Sequence, residues 1–256
     1  VPDTVRPVRV DCDGHTAPEE ARVLDELVFS LYLNGRHFMA AMTAPDRLSA
    51  LAVGMLLVEQ AIRSRDEIES IREDGPCVRV LTTDPFRVVV PRRGVITGCG
   101  GAVSEISERR LPPLPPAAPL PIEDVMAALG TIAAPPEGLF SAALRAADGW
   151  SARSDDLGLT TALARAIGVA FLGGVSRDRL VGAVSHRVTV ELVRAAVVAG
   201  VPVLASTGAP TRLAIELAER TGLALCGRGG PEGFVCYTHA ERLRLRSSGL
   251  SDPGTI

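Results

Sequence analysis

Apolar and polar positions alternate from about residue 23 to residue 43, and the alternation breaks at Asn34-Gly35, the dipeptide a tight type I′ turn prefers. The segment LVFSLYLNGRHFMAAM is therefore expected to be a β-hairpin. From Asp46 the period changes. Leu48, Leu51, Met55, Val58 and Ile62 recur at three- and four-residue spacing, which predicts a helix with one buried face and Asp46 as its cap. Short strands are expected at 78–82, 87–90 and 95–97, making residues 1–110 a small α+β domain.

Residues 111–121, LPPLPPAAPLP, hold six prolines in eleven positions. Proline lacks an amide donor and fixes φ, so this stretch is expected to be an extended linker and the domain boundary. A proline-rich ligand for a partner's aromatic groove is the alternative. Beyond it, over 122–256, helical and strand periods alternate. An apolar-faced helix (Leu159, Leu163, Ala166, Ile167, Ala170) is followed by a strand at 179–184, a helix at 189–199 and a strand at 201–205. Pro210 is placed in the first turn of a further helix ending near Gly222, and strands at 223–226 and 234–237 close the series. Strand–helix alternation with short connections predicts an α/β fold with part of its sheet parallel.

Composition narrows the chemistry. The 256 residues are 46% hydrophobic and 22% charged, as in a globular protein, and the net charge of −3 argues against nonspecific nucleic acid or anionic membrane as partner. The most apolar run, 188–204, is interrupted by Glu191 and Arg194, so no membrane span is expected, and the first residues lack the basic start and apolar core of a secretory signal. Five scattered cysteines with no CxxC spacing suggest reduced cytoplasmic thiols and give no support for zinc or another bound metal. All 27 basic residues are arginine, which removes Schiff-base and P-loop lysine chemistry from consideration. A GC-biased genome is the favoured reason for the missing lysine, and the exclusion holds whatever its cause.

Four segments could hold chemistry. In GVITGCGGAVSE, Cys99 has glycine on both sides, so its thiol can be approached closely, and a helix beginning near Val103 or Ser104 would favour the thiolate. A small buried cysteine in a tight turn is the alternative. In SARSDDLGLTTALARAIG, Asp155 and Asp156 precede a helix, where they either cap its amides or enter a site. Ser185, His186 and Arg187 follow a strand, where α/β sheets gather ligands, although a lone histidine there is more often structural than catalytic. The loop Arg228-Gly229-Gly230-Pro231-Glu232-Gly233 either offers backbone amides to a phosphate or is a plain hairpin turn.

In this order the segments resemble the FdhD/NarQ family of formate dehydrogenase accessory sulfurtransferases. RLVGAVSHRVTVELVRAAVVAGVPVLASTGAPTRLAIELAERTGLALCG is similar to the family's continuous C-terminal run, and LNGRHFMAAMTAPDRLSALAVGMLLVEQAI to its N-terminal segment. The resemblance implies a cytidine-deaminase-like α/β C-terminal domain without zinc. It also implies transfer of persulfide sulfur from a cysteine desulfurase to the molybdenum or tungsten bis(guanine dinucleotide) cofactor of a formate dehydrogenase-like enzyme, by a homodimer. Cys99 matches the first cysteine of the family's CxxC loop and is the implied catalytic carrier. The second position is Ala102, and a persulfide relay needs one nucleophilic sulfur. The implied cofactor-binding residues are Arg228, Gly229, Gly230, Pro231, Glu232, Gly233, Ser185, Arg187 and Asp156.

The sequence departs from the family after the aspartates, where Leu159-Thr160-Thr161 replace an arginine, a histidine and an asparagine. Ser141 stands where a histidine is expected. A noncatalytic molybdenum-cofactor chaperone or adaptor, and another enzyme on the same scaffold, are the competing readings.

Overall fold

The computed structural model describes residues 7–19, 23–86, 95–96, 102–103 and 111–244. The first pairing is a short exposed ribbon, β1 (Val8–Val10) with β2 (Thr16–Pro18). The expected hairpin is present. Strands β3 (Leu27–Leu33) and β4 (Arg36–Thr43) pair antiparallel, and Asn34 and Gly35 both take the positive φ that a type I′ turn requires. Alternation buries Phe29, Leu31 and Leu33 on one face of β3. With β5 (Ile68–Asp74) and β6 (Cys77–Thr82) they form a four-stranded sheet in the order β4-β3-β6-β5. Strands β7 (Val95–Ile96) and β8 (Ala102–Val103) pair with each other, and the strand expected at 87–90 lies outside the described residues.

Helix α1 (Leu48–Val58) lies where the period placed it, with two differences. Its cap residue is Arg47 in the left-handed region, while Asp46 instead pairs with the Arg47 guanidinium at 2.9 Å. Ten of its eleven residues are buried, not one face, because it is covered on one side by the four-stranded sheet and on the other by helices of the C-terminal half.

The proline-rich stretch is anchored along its length. Leu114 is buried and donates its amide to Thr221 O at 2.8 Å, and β9 (Leu120–Pro121) pairs in parallel with β16 (Leu243–Arg244). Helix α2 (Ile122–Ile132) then leads into a six-stranded sheet. Its strands are β10 (Phe140–Ala146), β11 (Ser151–Asp156), β12 (Leu180–Val184), β13 (Val203–Ser206), β14 (Ala224–Gly230) and β15 (Gly233–Cys236). The order is β11-β10-β12-β13-β14-β15, with β12, β13 and β14 parallel and the outer pairings antiparallel. This is the partly parallel α/β sheet expected from the sequence.

Helices α3 (Leu159–Leu172), α4 (Val190–Ala199) and α5 (Arg212–Thr221) share one apolar cluster with one face of the sheet, and α2 covers the other face. Pro210 is not in the first turn of α5. Its backbone bridges Val188, and the cap is Thr211, whose hydroxyl accepts from Ala214 N at 3.3 Å.

The same apolar cluster continues from α3 and α4 through α1 into the four-stranded sheet. Two glycines set how closely α1 and α3 cross. A Cβ on Gly54 would lie 1.7 Å from Ala164 O, and one on Gly168 would lie 1.8 Å from Ala50 O. Backbones therefore touch directly, with Ala50 and Gly54 facing Ala164 and Gly168. Among the described residues, no helix is long and apolar enough to cross a membrane.

Candidate functional site

The carboxyl ends of the three parallel strands meet at one sheet edge. Ser185 follows β12; its buried hydroxyl accepts from Ser141 N at 3.0 Å, and its own amide donates to Ser141 O at 2.8 Å. His186 comes next, exposed, with φ 63°, and its ring meets Phe140 edge-on at 5.1 Å. Its amide donates to Thr207 Oγ1 at 3.0 Å, and its carbonyl accepts from Gly208 N at 3.1 Å and from the Ser206 hydroxyl. Gly208 O in turn accepts from Arg228 N at 2.8 Å. The sequence His186–Gly208–Arg228 thus runs across three strand ends in a continuous set of main-chain bonds.

Two non-glycine residues in this row, His186 and Arg228 (φ 54°), sit in the left-handed region. That conformation costs about 1 kcal/mol or more for each and persists only where neighbours over-determine it. Here the bonds just named do so, and both side chains remain exposed. Gly208 is required for the close approach, since a Cβ there would lie 2.4 Å from the His186 carbonyl. This row lies at the carboxyl ends of parallel strands, where α/β sheets bind ligands, and Arg187 and Arg228 are exposed there.

The segment from Arg228 to Gly233 is a hairpin turn joining two antiparallel strands. Gly229 and Gly230 belong to β14, Pro231 and Glu232 form an exposed turn, and Gly233 opens β15; the register shifts between Gly227 and Gly230. Ser185, Arg187, Arg228 and Gly229 therefore share one sheet edge, with the Pro231–Glu232 turn beyond them. Sequence reasoning missed Thr207 and Gly208. The signal was available: the strand expected at 201–205 runs directly into STG, as the strand expected at 179–184 runs into SHR.

Asp156 is elsewhere. It ends β11 and is fully buried, as is Arg165 on α3, 2.6 Å away. The Asp156 carboxylate also accepts from Thr43 Oγ1 (2.7 Å), Ala44 N (3.1 Å) and Leu157 N (2.6 Å). It does not cap α3, whose cap residue is Gly158. Burial lowers the pKa of Arg165 and Asp156 opposes that shift, as expected for a guanidinium out of water beside its counter-ion. Asp155 instead accepts from Arg153 Nε at 3.0 Å and from the Ser141 hydroxyl.

Cys99 lies outside the described residues. On either side of the undescribed residues 97–101, Ile96 pairs with Ala102 and Val95 with Val103. Val103 is in a strand, so no helix starts at that residue, and Ser104, the other expected start, lies outside the described residues.

A concavity of about 180 Å³ lies between β4, α1 and the first turns of α3 and α4, lined by Met39, Met55, Leu157, Thr160, Glu191 and Arg194. Arg194 donates to Val58 O at 3.0 Å and to Glu59 Oε1 at 2.8 Å, tying α4 to the end of α1. One further group, Asp11, Asp13 and His15, brings its ligand atoms within 4.8 Å of one another at an exposed turn. There Asp11 Oδ1 already accepts from the Asp13 and His15 amides, an Asx turn that accounts for the cluster.

The protein is a partly parallel α/β fold with two exposed arginines at its strand ends and a buried Asp156–Arg165 pair. The FdhD/NarQ family profile matches residues 24–244, and the chain belongs to that family. It is 33% identical to the sulfur carrier protein FdhD of Chromobacterium violaceum over 88% of this chain and 92% of that one. It is 29% identical to the sulfur carrier protein FdhD of Wolinella succinogenes over 90% and 85%. A crystal structure of a candidate formate dehydrogenase accessory protein from Desulfotalea psychrophila shares the fold, with a TM-score of 0.75 at 19% identity, covering 93% of this chain and 97% of that one.

Proposed function

We propose that this protein is a sulfur carrier. It takes persulfide sulfur from a cysteine desulfurase on Cys99 and delivers it to the molybdenum or tungsten bis(guanine dinucleotide) of a formate dehydrogenase-type enzyme. The observation that carries the reading is family membership over 24–244; Cys99, with glycine on both sides, is the residue that the resemblance implies as carrier. Loading would proceed by attack of the Cys99 thiolate on the outer sulfur of the donor persulfide, leaving the donor as its thiolate. In delivery, an acceptor nucleophile attacks the outer sulfur of Cys99. The S–S bond breaks and its electron pair stays on Cys99 as thiolate.

The client cofactor is substrate in this scheme, and its phosphates need cationic and amide donors. The strand-end row supports that role, because Arg228 and Arg187 are exposed beside a rigid backbone whose geometry is already set before binding. Asp156 has no part in it, its carboxylate being committed to Arg165, Thr43, Ala44 and Leu157.

A second reading, a noncatalytic cofactor chaperone, is favoured by one feature: Ala102 and Leu159-Thr160-Thr161 replace the polar residues of the family pattern. Restoring formate dehydrogenase activity in a strain lacking its own carrier separates the two. Cys99→Ala is expected to lower restored activity at least about a hundredfold, as removal of an essential nucleophile does. Activity retained within about twofold would establish the chaperone instead.

A further inference from the structure

We propose that Cys226 and Cys236 form an oxidisable dithiol, a site of thiol–disulfide exchange with low-molecular-weight disulfides at the base of the Arg228–Gly233 hairpin. The geometry begins with register. Cys226 on β14 and Cys236 on β15 are direct partners in an antiparallel ladder. Tyr237 N donates to Leu225 O at 2.8 Å, so this bond flanks the pair and does not join it. Cys226 and Cys236 are therefore a non-hydrogen-bonded pair, the kind with Cα atoms about 4.5 Å apart and side chains on one face. That separation falls inside the span a disulfide bridges without backbone movement, roughly 4.4–6.8 Å.

The two thiols differ in access. Cys226 is fully buried in the cluster beneath α2, whereas Cys236 is half-buried on β15, the edge strand of the sheet, with its Sγ 3.2 Å from Thr238 O. They differ in ionisation as well. A hydrogen bond from the Cys226 thiol lowers Cys236 to about 7, while that same bond and burial push Cys226 well above the usual thiol range. One sulfur is thus placed to attack and the other to resolve.

The chemistry balances with the disulfide as the only oxidant. The Cys236 thiolate attacks RS–SR, forming Cys236–S–SR and releasing RS⁻. Cys226 then loses its proton to that thiolate and attacks the Cys236 sulfur, expelling the second RS⁻. The net change is two cysteine thiols oxidised to one disulfide and one RS–SR reduced to two thiols. No bulky oxidant need reach the buried sulfur, since the second step is intramolecular.

The test is peptide mapping after exposure of the full chain to oxidised glutathione, with alkylation of remaining thiols. Wild type is expected to yield a peptide pair bridged through Cys226 and Cys236, which dithiothreitol releases. Cys226→Ser is expected to stop at the mixed disulfide and accumulate glutathione on Cys236. The initial rate of that adduct should rise with pH, because the thiolate is the attacking form. If Cys226→Ser does not fold, the wild-type map decides alone. Glutathione persisting on Cys236 in wild type, both thiols remaining alkylatable, or a bridge to any other cysteine overturns the proposal. The experiment involves neither a desulfurase nor Cys99, so its failure is distinct from failure of the sulfur-carrier reading.

Discussion

Gly168→Ala is expected to destabilise the protein by more than about 3 kcal/mol, and Gly168→Val to abolish folding. Ordinary overpacking of a core costs about 1–3 kcal/mol because side chains can shift aside. Here the obstacle is main chain: an added Cβ would sit 1.8 Å from Ala50 O, and the reciprocal site, Gly54, would place one 1.7 Å from Ala164 O. Relief requires α1 and α3 to separate, which opens the apolar cluster joining the four-stranded sheet to the six-stranded one. Gly130, inside α2, supplies the control. Nothing lies within 4 Å of a Cβ built there, so Gly130→Ala should stabilise by about 0.5–1 kcal/mol through helix propensity. Urea midpoints of the three proteins at constant m-value measure this directly. A Gly168→Ala midpoint equal to wild type would show that the helices do not meet at these glycines.

Arg165→Ala is expected to cost about 3–5 kcal/mol, the penalty for leaving one member of a buried ion pair alone. Both partners are fully buried, 2.6 Å apart, and the pair lies where the end of β4 meets the end of β11 and α3. Arg165 also donates to Thr43 Oγ1 at 2.6 Å and to Ala44 O at 3.1 Å, so its loss removes the clasp between the two halves of the chain as well as the countercharge. Against a total stability of roughly 5–15 kcal/mol this is a large fraction. Asp156→Leu with Arg165→Met should recover part of the loss. Recovery is incomplete because the amides of Ala44 and Leu157 then lose their acceptor. The double variant is expected to lose at least about 1 kcal/mol less than the sum of the singles. Strict additivity would contradict direct coupling.

These two sites show where sequence reasoning stopped. The β3–β4 hairpin was legible because its determinants are local: alternation and an Asn-Gly turn. The alternating elements after residue 122 were legible because each has its own period. Helix α1 was placed correctly but given one buried face, since periodicity cannot reveal a second layer arriving from more than a hundred residues away. Asp156 was expected at a helix start, where acidic residues cap amides. Its actual partners include Thr43, 113 residues distant, and Arg165, whose burial no local pattern announces. The site divides similarly. Ser185, Arg187 and the Arg228 segment were visible as strand-to-loop junctions rich in small and polar residues. Thr207 and Gly208, which join them, needed the order of the parallel strands. The cysteine pair needed the β14–β15 register, because ten positions of sequence separation contain no such information. The Cys99 segment was singled out by its flanking glycines and by family resemblance, and it lies outside the described residues.

The sulfur-carrier account is tested most directly by intact-mass analysis after incubation with a cysteine desulfurase and cysteine, for wild type and Cys99→Ala. The account expects wild type to gain the mass of one sulfur, lost again on reduction, and Cys99→Ala to gain none. A wild-type protein that takes up no sulfur from a competent desulfurase, or a Cys99→Ala protein that takes up as much as wild type, would contradict it.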